Sequence, residues 1–347
     1  MDGDLAPPSG LPAWQRFAAF AFTAAVMLLG GPSAAVAQTA EAPPLQLEGK
    51  IALGSVKGRI DHMAVDGRRH RLFVAELGND TVGVVDLNDR KIVHRIAGLK
   101  EPQGVAYVPS SDTIYVANGG DGSVRSFRAA DYAEAGRVDL GHDADNVRVD
   151  LTADRVFVGY GNGGLAAIDP ASHRKIAEIP VKAHPEGFQL SGASPRIFVN
   201  VPRSRAIVVL DRSKQRESAR WPLADASGNF PMALDDASGH VIVVFRNPAR
   251  LGVFAMETGS SVAQRETCED ADDVFLDGKR KRVYVSCGGG FVDVFDAAGG
   301  AYKPMAHIAT VAGARTSLFL REEDRYVVAA RAQGNEPAAL WIYRPIP

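Results

Sequence analysis

Asp61, Asp145, Glu186 and Asp272 lie far apart in the chain, yet each stands twelve residues before the middle of a β-branched or aromatic triplet, as do Gln103, Phe230 and Arg315. One position further on stand His62, Gly104, Asn146, Gly187, Pro231, Asp273 and Thr316. Two positions back stand Arg59, Glu101, Asp143, His184, Gly228, Asp270 and Gly313, with His142 just before Asp143. Carboxylates and neutral imidazoles suit divalent cations such as Ca, Mg, Mn or Zn. Asp61, Asp145, Glu186 and Asp272 are therefore a candidate metal set. Asp61, Gln103, Asp145, Asn146, Glu186, Asp273 and Arg315 make a wider candidate ligand-binding set. His62, His142 and His184 are the candidate acid-base groups, because an imidazole exchanges its proton near neutral pH. A plainer reading competes with all of this, since an Asp before a strand commonly accepts hydrogen bonds from the turn that follows it. Like charges ~4 Å apart repel by about 1 kcal/mol even at the dielectric of water. A ring of acids thus requires a cation, a basic ligand, or Arg59 and Arg315 to offset it.

What would bring these residues together is a repeat. The triplets are Leu72-Phe73-Val74, Ile114-Tyr115-Val116, Val156-Phe157-Val158, Ile197-Phe198-Val199, Val241-Ile242-Val243, Val283-Tyr284-Val285 and Tyr326-Val327-Val328, their centres spaced by 42, 42, 41, 44, 42 and 43 residues. Each sits among alternating segments separated by polar turns, which reads as four short strands per unit. In the first unit they fall at His62 to Val65, Arg71 to Ala75, Val82 to Asp86 and Ile92 to Ile96. Four strands at a period near 42 residues is the pattern of a β-propeller blade. The fold expected is therefore all-β, a seven-bladed propeller with four antiparallel strands per blade. The seventh unit ends after its third strand, Leu340-Trp341-Ile342-Tyr343, while an orphan strand, Leu45 to Ala52, precedes the first unit. Joined, they complete one blade and close the ring without a free edge. In such a ring, residues just before each innermost strand converge on one mouth of the axial channel.

The repeat also resembles a known family. Tyr115-Val116-Ala117-Asn118, followed by a Gly-Asp-Gly turn and Ser123-Val124, is similar to the unit of the YVTN β-propellers, which include the YncE-like periplasmic proteins. Val84-Val85-Asp86-Leu87 and Ala167-Ile168-Asp169 resemble the same repeat's third strand. The resemblance implies a fold more than a function, for related scaffolds serve as lactonases, lyases, haem or quinone enzyme domains and binding proteins.

The N-terminus reads as an address. Phe17 to Gly30 is an apolar run of 14 residues, shorter than a membrane span, and it ends near Ala35-Val36-Ala37. Residues 1–37 are expected to be a signal peptide, and 38–347 a single propeller domain, periplasmic or secreted, with no membrane span after signal removal. The formal charge of -2 and 7% aromatic content argue against nucleic acid as a partner. No Cys-x-x-Cys-His occurs, so no c-type haem is expected. Gly119-Gly120-Asp121-Gly122 lacks the Lys-Ser/Thr of a phosphate loop, and no nucleophile elbow occurs. Arg68 to Arg71 and Lys279 to Arg282 read as solvated turns on the face opposite the mouth. Cys268 and Cys287 fall near one end of the sixth blade and are a candidate disulfide.

Two functions remain open. The first is an exported ligand-binding or scaffolding module whose mouth takes a small polar ligand or another periplasmic protein. The second is a metal-dependent hydrolase, lactonase or lyase using the same mouth.

Overall fold

The computed structural model describes residues 42–347, and the signal-peptide reading lies outside them. The chain forms seven four-stranded antiparallel sheets, taken in sequence order as blades one to seven. Their innermost strands are Met63–Asp66, Pro102–Val108, Ala144–Asp150, Phe188–Leu190, Ser227–Asp235, Ala271–Asp277 and Ser317–Leu320. The triplets form the second strands, which are apolar at consecutive positions because a blade packs a neighbour against each face. Leu72, Phe73 and Val74, for instance, are all buried. Buried apolar clusters accordingly lie between blades. Val84 and Phe73 of blade one pack with Val105 and Val116 of blade two, and Ile242 and Val253 of blade five pack with Val274 and Val285 of blade six.

The seam closes as the sequence indicates. Leu45–Gly54 pairs antiparallel with Ala338–Pro345 and forms the outer strand of blade seven. Leu45, Ile51 and Leu53 are its buried side chains, whereas Leu47 points to solvent at 43% exposure. Ile51 and Leu53 join a cluster shared by blades seven and one, alongside Val327, Leu340, Leu72 and Met63. Among the described residues, no helix is long and apolar enough to cross a membrane.

The basic turns opposite the mouth differ from expectation. They are not simply solvated: Arg69 makes paired hydrogen bonds of 2.7 Å to Asp112 of the next blade. Arg280 does the same to Asp324 at 2.6 and 2.7 Å. Planar guanidinium forks that meet carboxylates two-on-two fix geometry as well as charge, so these arginines tie blade one to two and blade six to seven.

Candidate functional site

In five blades the crossover into the inner strand turns through a left-handed residue two places before the mouth position. Glu101, Asp143 and Asp270 take left-handed φ values of 49°, 50° and 58°, and Gly228 and Gly313 share that conformation. Each kink aims the residue two places later at the axis. One position beyond, Gly104 lies so close to blade three that an added Cβ would sit 2.1 Å from the Asp145 carbonyl oxygen. A side chain there would push the inner strands apart and widen the mouth.

Six of the seven mouth positions, with His62 and Arg59 from blade one, enclose a cavity of about 200 Å³ lined by all blades, including Gln103, Asp145, Asn146, Glu186, Asp272 and Arg315. Asp61 is buried just behind it, against Arg59 at 2.7 Å. The repulsion expected of a ring of acids is relieved internally. Asp272 is gripped by Arg246 and, at 3.0 Å, by Arg315; Arg315 also holds both Asp270 oxygens at 3.0 Å. Arg246 stacks on the Phe230 ring at 3.9 Å. Of the four candidate metal ligands, Asp61 and Asp272 are paired with arginines. The acids that do cluster are Asp145 and Glu186, with His184: one ligand atom from each lies within 4.8 Å of the others.

His184 is placed by its backbone surroundings. Its Nδ1 meets the Gly161 carbonyl at 2.7 Å, and its Nε2 faces Asp145 at 3.9 Å. With Nδ1–H held by a carbonyl, Nε2 is the ring atom left for a cation, which would have to displace the proton that Nε2 carries at neutral pH. Burial pushes the His184 pKa down, but the Asp145 carboxylate, the Gly161 carbonyl and nearby Glu186 and Asp143 outweigh it and raise the value to about 9. Burial, reinforced by Asp145, lifts Glu186 to about 7. Asp145 itself is drawn below its ordinary value, burial being outweighed by His184, His62 and Arg59. His62 stands between Asp273 at 3.4 Å and Asp61 at 3.6 Å. Burial would lower it, yet Asp273, Asp61 and Asp145 raise it to about 10, so the ring is cationic at neutral pH. Burial lifts Asp61 to about 6, against the pull of His62 and Arg59. Asp273 also accepts the Ser317 N–H at 2.8 Å, a bond that ties the inner strand of blade six to that of blade seven.

His142 is exposed and does not line the cavity. Arg203 and Arg148 are charged lining residues that the sequence reading missed. Arg203 is exposed on a short 3-10 turn. Arg148 lies on the inner strand of blade three, where the matching positions are Ala64, Ala106, Gln189, Ala233, Phe275 and Leu318. A lone cation in an otherwise uncharged register was the available signal. Asn146 is 4% exposed, and its Oδ1 has no hydrogen-bond partner. Cys268 and Cys287 form a disulfide.

No protein-family model and no curated protein matches the chain. Among solved structures it is similar to Kuenenia stuttgartiensis hydrazine synthase, with a TM-score of 0.71 and 14% identity over 88% of this chain and 98% of that one. At that identity the likeness shows a shared propeller fold. It is one of 1805 matching chains, a breadth that selects no single function.

Proposed function

We propose that this propeller is an exported binding protein that takes a small polar ligand at its axial mouth, over a divalent cation held by Asp145, His184 and Glu186. The observation that carries the reading is the convergence of those three donors in one cavity. Two carboxylates and an imidazole favour Zn or Mn over Ca or Mg, which prefer all-oxygen shells. A cavity of about 200 Å³ is smaller than the ~300–1,000 Å³ of drug-sized sites, so the ligand is small. The Tyr115-Val116-Ala117-Asn118 repeat supports placing the chain among YncE-like propellers. Export is supported by the apolar N-terminal run and by a disulfide, which persists in oxidising compartments.

The test is thermal melting in chelator and then with Zn, Mn, Ca and Mg in turn. At a hundredfold excess over its dissociation constant an ion contributes about 2.7 kcal/mol, enough to raise the transition by several degrees. Asp145→Asn should abolish the shift, while Asp272→Asn keeps it. If no ion moves the parent's transition, the metal assignment is wrong.

A second reading, a hydrolase, lactonase or lyase, is favoured by His62, a cationic imidazole between two carboxylates at the cavity wall. Such a group can donate a proton to a leaving oxygen. A bound cation would supply carbonyl polarisation. Turnover of a lactone panel that is lost in His62→Gln would establish it.

A further inference from the structure

Below the polar mouth the channel changes character. Counting four residues on from each mouth position gives Val65, Tyr107, Val149, Leu190, Leu234, Leu276 and Phe319, a large apolar or aromatic residue in every blade. All seven line a second cavity of about 730 Å³, and its outer rim carries the exposed Asp236, Lys281 and Arg321. Val65, Val149, Leu190, Leu234 and Leu276 are only half-buried: each packs on one side against an apolar cluster between blades and leaves the rest of its surface to the cavity. The upper and lower cavities share His62, Arg148, Gln189, Asp273, Val274 and Phe275 in their linings, which makes them two chambers meeting at one waist.

Arg148 stands at that waist. Its Nη1 donates to the Val147 carbonyl at 2.8 Å, and the guanidinium lies 5.7 Å above the Phe188 ring. The acids nearby are already taken: Asp273 by His62 and the Ser317 N–H, Asp145 by His184. Among the described residues, no carboxylate lies within ion-pair distance of Arg148, unlike Arg246 and Arg315 above it. A partly desolvated guanidinium without an ion-pair partner, set above a collar of apolar side chains, is a receptor for an oxyanion that carries a hydrocarbon tail.

We infer that the lower chamber is a second binding site, for an amphiphilic carboxylate whose head pairs with Arg148 and whose alkyl chain lies along the apolar collar. The volume supports a ligand of that kind, for 730 Å³ falls in the ~300–1,000 Å³ range of sites that enclose drug-sized molecules. The site uses none of the three proposed metal donors, so it stands or fails independently of the reading above.

The test is calorimetric titration of the full-length mature protein, with chelator present throughout, using straight-chain carboxylates from butanoate to dodecanoate. Each added methylene buried in the collar should tighten binding by about fourfold until the chamber is filled. Arg148→Met should weaken the carboxylates at least tenfold and leave alkyl alcohols of the same length unaffected, whereas Arg148→Lys keeps part of the carboxylate affinity. Leu234→Glu should abolish binding of both series. Melting curves of each variant report whether the fold is intact, and the alcohol titration of Arg148→Met checks that its chamber survives. Affinity that does not depend on chain length would overturn the proposal, as would an Arg148→Met protein that binds carboxylates as the parent does. A Zn- or Mn-dependent melting shift in a protein that ignores the alkyl series would leave the mouth reading standing and sink this one alone.

Discussion

At the residue scale, the mouth holds groups whose proton affinities rise on folding, and this sets how stability responds to pH. His62 rises to about 10 and His184 to about 9 from 6.5, while Glu186 rises to about 7 from 4.5 and Asp61 to about 6 from 3.8. A group that binds its proton more tightly when folded stabilises the fold below its unfolded pKa, and that contribution is lost as pH climbs through the folded value. All four therefore act in one direction. Asp145, Asp86 and Asp112 act in the other, being held below their ordinary value of 3.8, so their contribution is lost only in acid. Melting temperature should be highest near pH 4, falling first as Asp61 and Glu186 lose their protons and then steadily between pH 6 and 10 as His184 and His62 do. The decline should be shallower in His62→Gln. A melting temperature that rises across that interval would contradict the ion-pair assignments at His62 and His184.

At the element scale, one strand and one crosslink are separable from the repeat. A chain starting at Ser55 lacks the strand Leu45–Gly54 and with it the buried Leu45, Ile51 and Leu53. Each fully buried apolar side chain is worth ~1.5–3 kcal/mol, and the loss also bares an edge of Ala338–Pro345. The truncated protein should melt far lower and aggregate, and Ile51→Ala alone should cost ~2–5 kcal/mol. An unchanged transition in chemical denaturant would refute ring closure by this strand. The Cys268–Cys287 bond spans 19 residues within blade six. Closing a loop of that length is worth about 3 kcal/mol in the chain-entropy model. Reducing agent should lower the denaturation midpoint of the parent and leave a double Cys→Ala variant where it started.

At the scale of the whole molecule, the blades are joined by apolar clusters and, on the face away from the mouth, by arginine-carboxylate ties. Arg69 to Asp112 and Arg280 to Asp324 each cross a blade boundary, with Ser110 to Asp154 at 2.6 Å and Ser191 to Asp236 at 2.9 Å doing so elsewhere. The side chains of Arg69 and Asp112 are 38% and 36% exposed, so salt screens that pair. Arg280 is 10% exposed and screened less. Arg280→Gln should therefore lower the melting temperature more than Arg69→Gln, and the gap should widen in high salt. Equal losses for the two variants in 1 M salt would show that these ties do not hold neighbouring blades together.

The repeat was legible because a strand packed on both faces needs consecutive apolar residues, and a period near 42 residues repeated that demand in each blade. The same period aligned the mouth residues, so Asp145 and Glu186 stood among the candidate ligands, and His184 among the candidate acid-base groups, without coordinates. Pairing was not legible. Whether an acid faces the cavity or an arginine depends on side chains from other blades: Asp272 belongs to Arg246 of blade five and Arg315 of blade seven, and only the closed ring brings them within 4 Å. His142 and Asp143 are adjacent in sequence, yet His142 is exposed away from the cavity while Asp143 lines it. The repeat thus determined the architecture and the axis on which chemistry must sit, because backbone hydrogen bonding and burial are local and periodic. Tertiary structure alone decided which charges cancel and which remain free, because electrostatic partners are chosen across the channel by distance rather than by position in the chain.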